Sequence, residues 1–82
     1  MEMQEWVILL IYDESGQRTK RVGVEVEQTN LDDLEADLWD EIIHQLPTTF
    51  PFPITDPEDQ IDKYQVGTGL LQKPVDYLIK LP

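Results

Sequence analysis

Few side chains in this 82-residue chain are equipped for nucleophilic or acid–base chemistry: one serine (Ser15), one histidine (His44), no cysteine, and seventeen carboxylates. Ser15 stands in the turn-forming run Asp13-Glu14-Ser15-Gly16-Gln17, and His44 stands near the end of a helical pattern. Nothing in their spacing joins them as nucleophile and base. Without cysteine there is no thiol nucleophile, disulfide or thiolate metal site. The acids at 56–62 cluster as calcium ligands do, but the spacing fails. Counted from Asp56, Ile61 and Gly67 fall where an EF-hand loop needs Gly and Glu. Gly67-Thr68-Gly69 is too short to cradle a phosphate and opens no helix. We therefore expect no enzyme, no cofactor and no metal site.

The remaining chemistry is charge. From Val22 to Asp62 there is no Lys or Arg, while twelve of the seventeen acids lie in that run, so it holds almost all of the net charge of −11. A solubilising surface ordinarily mixes both signs. Within the run, a helix is predicted over 31–46, with Thr29 or Asn30 as cap, Asp32 and Asp33 at its positive end, and Pro47 as stop. On a helical wheel Leu31, Leu34, Leu38, Ile42 and Leu46 share one face, Asp33, Asp37, Asp40, Glu41 and His44 lie opposite, and Trp39 sits at the margin. Glu35 is the acid that falls within the apolar arc.

Asp33, Asp37 and Glu41 follow one another at i, i+4 and i+8 with no Lys or Arg beside them. Each such like-charge pair destabilises a helix by about 0.2–0.5 kcal/mol. A carboxylate every ~6 Å of helical rise resembles the phosphate spacing of a nucleic-acid strand. The candidate partner-binding residues are therefore Asp33, Asp37, Asp40, Glu41 and Trp39, the last because an indole can anchor a cationic side chain.

The elements that must carry these residues read in chain order. Trp6 to Tyr12 is apolar without alternation, which predicts a strand over about 5–12, buried on both faces in the middle of a sheet. The turn at 13–17 leads to a half-exposed strand over about 20–28, with Val22, Val24 and Val26 inward. After the helix, Phe50, Phe52 and Ile54 alternate with Pro51 and Pro53 in a strap over 47–57. Asp56-Pro57 suggests a capped single turn, followed by short strands over about 64–71 and 75–81, with a break at Gly67-Thr68-Gly69.

This order makes a small single α+β domain spanning 1–82: hairpin, helix, long connection and two short strands. In chain order it resembles the β-grasp architecture of ubiquitin-like domains, although Lys80-Leu81-Pro82 lacks the Gly-Gly that their conjugated members carry. The rival is an antiparallel meander with one helix packed on a face.

The functional expectation is a non-catalytic acidic module that docks on a basic protein surface. Where that surface ordinarily holds DNA or RNA, docking inhibits by nucleic-acid mimicry. The alternative is a β-grasp adaptor that binds through a sheet edge or the Pro-aromatic strap. Net charge disfavours direct contact with nucleic acid or an anionic membrane. The acidic start and short apolar run predict no targeting segment and a cytoplasmic location, and burying the strap between two copies is the route to a homodimer.

Overall fold

The computed structural model describes residues 4–27 and 36–81. Strand β1 (Gln4–Tyr12) runs through the middle of the sheet, and Trp6, Val7, Ile8 and Leu9 are buried one after another. An unalternating apolar run is what two covered faces require. Strand β2 (Thr19–Glu27) pairs antiparallel with it from Gln4↔Glu27 to Tyr12↔Thr19. The turn between them is built on Asp13. Its carboxylate accepts from Ser15 Oγ (2.9 Å), Gln17 N (3.0 Å) and Arg18 Nε (3.0 Å), and Gly16 takes the positive φ of 77°.

Strand β3 (Ile61–Thr68) pairs antiparallel with the other side of β1, and strand β4 (Tyr77–Leu81) pairs parallel with β2. The four-stranded sheet therefore has the order β3-β1-β2-β4. This differs from both predicted arrangements. The β-grasp order is not confirmed, because the last strand lies beside β2 with β1 one strand further in, and a meander is excluded by the parallel β2–β4 pair. The physical reason is the crossing segment 69–76. It leaves β3 with Gly69 N donating to Gln4 O (2.8 Å) and reaches the far edge where Asp76 N donates to Arg21 O (2.8 Å). Arg21 N in turn donates to Asp76 Oδ2 (2.8 Å), which sets the start of the β2–β4 register.

One face of the sheet carries the main core: Val7, Leu9 and Ile11 from β1, Val22, Val24 and Val26 from β2, Ile61, Ile79 and Leu81. It is covered by helix α1 (Ala36–Gln45), through the fully buried Ile42, and by the strap, through Phe52. Burying one Ile fully contributes about 1.5–3 kcal/mol, so Ile42 is a principal tie between helix and sheet. Trp39, Ile43, Leu46, Phe50, Ile54 and Tyr77 pack around this core. Phe50 meets Phe52 edge-on with ring centroids 4.8 Å apart and Tyr77 at 5.3 Å.

The second face was expected to be solvated along β2, yet Gly23 and Glu25 are buried. The crossing segment explains this, since a Cβ at Gly23 would overlap Leu71 and press on Val75. The Glu25 carboxylate accepts from Gln4 Nε2 instead of facing water. Gly67 likewise lies within β3 and does not break it, because the Trp6 indole rests where its Cβ would be; the turn is made by Gly69, at φ 82°.

Two boundaries also move. Strand β3 runs from Ile61, directly after helix α2 (Pro57–Gln60), to Thr68, whereas it was expected over about 64–71. Asp56 precedes α2 but forms no side-chain cap; its carbonyl accepts from Asp59 N (3.1 Å) and Gln60 N (2.9 Å). The predicted helix start at 31–35, with Thr29, Asn30 and Glu35, lies outside the described residues. The product is a small compact domain of α+β type, a mixed four-stranded sheet with few helices.

Candidate functional site

Helix α1 is a two-faced element. Ile42 is buried, Ile43 and Leu46 are half-buried against the core, and Asp40, Glu41, His44 and Gln45 are exposed. The division follows from 3.6-residue periodicity, which puts Ile42, Ile43 and Leu46 on one side of the helix and Asp40, Glu41 and His44 on the other. Trp39 is half-buried and packs against the core, so its ring is held between the apolar layer and the acidic surface. Glu41 Oε1 accepts from Gln45 Nε2 at 3.3 Å, one turn further along, and no Lys or Arg lies on the helix. Of the five residues singled out from sequence, Asp40 and Glu41 are exposed on α1 and Trp39 is half-buried against the core. Asp37 lies on the same helix with its side chain undescribed, and Asp33 lies outside the described residues.

Bases are gathered elsewhere. Arg18 joins the hairpin turn to the strap. Its Nε donates to Asp13, its Nη1 donates to Pro51 O (3.4 Å), and its guanidinium stands 5.1 Å from the Phe52 ring centroid. Desolvation pushes the Asp13 carboxyl upward, but hydrogen bonds from the Arg18 and Ser15 side chains and the Arg18 and Gln17 backbone outweigh it and bring its pKa down to about 2. Arg21 lies over the Tyr64 ring at 5.7 Å. It also lines an open groove of about 560 Å³ on the second face, with Leu10, Tyr12, Thr19, Pro74, Val75 and Asp76.

A second acidic locus surrounds α2. The Asp59 carboxyl is held above the usual range, first by its hydrogen bond with the Asp56 side chain, then by the charge of Asp56, desolvation and the charge of Glu58. Three carboxylates within four residues therefore share one strongly negative patch. Among the described residues no group of three or more His, Asp or Glu is arranged to hold a metal ion. Ser15 is engaged with Asp13 in the hairpin turn, while His44 is exposed on α1.

No family model, curated protein or solved structure matches this chain. Geometry and charge alone carry the functional reading.

Three features went unread in the sequence. Gln60 is a buried polar clip, and nothing in its neighbourhood marks it out. The edge of β3 exposes Tyr64 and Val66, each 53% accessible, in a strand that begins at Ile61, ahead of the expected 64–71. Leu70, just beyond, is 67% exposed. No helix among the described residues is long and apolar enough to cross a membrane.

Proposed function

We propose that this protein is a non-catalytic binding module whose acidic α1 face docks on a basic surface of a partner protein, with Asp33, Asp37, Asp40 and Glu41 as the charged row and Trp39 as its apolar margin. The observation that carries the proposal is the orientation of α1. Ile42 is anchored in the core while Asp40 and Glu41 face solvent, in a 22–62 stretch with no Lys or Arg to neutralise them. A negative surface of this kind speeds encounter with a positive one and rejects anionic competitors. Where the partner surface ordinarily binds DNA or RNA, the carboxylate row occupies the place of phosphates and the module acts as a competitive inhibitor.

The test is affinity capture from lysate with two baits in parallel, the native chain and a chain carrying Asp33→Lys and Asp37→Lys, followed by competition with nucleic acid on the purified partner. Partners retained only by the native bait, and displaced by DNA or RNA, support the proposal. Partners retained equally by both baits contradict it.

The second reading, an adaptor binding through a sheet edge or the strap, draws on the position of β3 as an edge strand among the described residues. The strap itself is occupied within the chain, Phe52 being 6% exposed. A cytoplasmic setting remains part of the proposal.

A further inference from the structure

Among the described residues β3 has a strand neighbour on one side only, so it forms one edge of the sheet. Natural edges are blunted by lysines and bulges, and β3 has both, but only in its first half. Lys63 lies there, and the register against β1 shifts between Ile8 and Leu9, skipping Tyr64. Beyond the bulge, Gln65 to Thr68 pair regularly with Ile8 to Glu5, and those four residues carry no charge. Val66 within this stretch, Tyr64 at the bulge before it and Leu70 just beyond it are all more than half exposed. The other edge strand, β4, has five residues against eight and exposes one large apolar side chain, Leu78.

We infer that the outer edge of β3 accepts an extended segment of a basic partner protein as a fifth strand, with apolar side chains of the segment over Val66 and Tyr64 and cationic ones beside Asp56, Glu58, Asp59 and Asp62. Charge selects this occupant. The carboxylates at the Ile61 end crowd one another enough to raise Asp59, and a cation there relieves that repulsion. A second copy of the chain would instead bring one charge of −11 against another. Backbone pairing supplies affinity, and the side chains flanking the bulge supply selectivity. The inference shares with the proposed function only the positive charge of the partner, since the surface lies on the sheet edge and not on α1.

The experiment uses the intact chain and synthetic eight-residue peptides in which valine alternates with threonine and two lysines occupy one end, made with the lysines first or last. Each has a twin methylated on alternate backbone nitrogens, with the same side chains and charge but without the donors that strand pairing needs. Amide shifts gathered in 61–70, with the methylated twin at least about tenfold weaker, are the expected result. Binding of both twins within about twofold would overturn the inference, as would the absence of shifts at millimolar peptide or a β3-mediated dimer in the peptide-free chain. Shifts gathered on α1 and lost on Asp40→Lys with Glu41→Lys would overturn it while leaving the proposed function standing.

Discussion

Gln60 fastens the end of β1: its Nε2 donates to the Tyr12 carbonyl at 2.9 Å across 48 residues of sequence. The same side chain donates to Pro53 O (3.1 Å) and accepts from Thr55 N (2.9 Å) and Asp56 N (2.8 Å). A single buried amide thus satisfies four backbone groups and ties the strap to the sheet. Removing it strands those groups, which costs about 1–3 kcal/mol. Gln60→Ala is expected to lower the urea midpoint accordingly, whereas Gln72→Ala, at an exposed position, stays within about 0.5 kcal/mol of the native chain. Equal stability of the two variants would remove the clip from the account.

Trp6 lies over Gly67, with its Nε1 donating to Thr68 O (3.3 Å). The indole is rigid, so a methyl group at 67 must lift the ring or move β3. Gly67→Ala is expected to destabilise by about 1–3 kcal/mol, the usual range for overpacking. In a Trp39→Phe background, where Trp6 alone emits, it should also shift the fluorescence toward that of an exposed indole. Unchanged emission would mean that the ring does not rest there.

Two carboxylates give opposite pH effects. Asp13, brought down to about 2 from 3.8, adds stability that is complete above 3.8 and is lost as pH falls through about 2. Asp13→Asn should therefore lower Tm at neutral pH, and the gap should close as the native chain is acidified. Asp59 is raised, so its ionisation penalises the fold once pH rises through its folded pKa. Asp59→Asn should raise Tm at neutral pH, with the gain vanishing below the ordinary value of 3.8. Thermal melts at matched ionic strength from pH 2 to 7 read both signs.

A net charge of −11 on 82 residues works against compaction. Added salt screens exposed pairs over about 10 Å at 0.1 M. Tm is expected to rise between low and moderate sodium chloride, and a flat or falling Tm would show that repulsion within 22–62 is not a significant strain on the fold.

Local pattern was sufficient for the elements that local pattern determines. The central position of β1 followed from its unbroken apolar run, and the outward facing of Asp40 and Glu41 followed from the inward facing of Ile42. Long-range packing was not legible. Glu25 and Gly23 looked solvent-facing because Leu71 and Val75, which cover that face of β2, arrive nearly fifty residues later. The place of β4 beside β2 depends on the span of 69–76 and its two backbone anchors, and neither has a sequence signature. The start of β3 at Ile61 was not legible, because Asp62 and Lys63 are charged and an edge strand exposes them. Gln60, polar and set among acids, gave no hint of burial.

The most direct test of the acidic docking surface is the affinity of a captured basic partner for the native chain and for the Asp40→Lys, Glu41→Lys variant, measured by titration at low and physiological ionic strength. The expected result is a loss of at least about tenfold in the variant, about 1.4 kcal/mol or more, together with salt weakening that is steep for the native chain and shallow for the variant. Equal affinities with the same salt dependence would contradict the account.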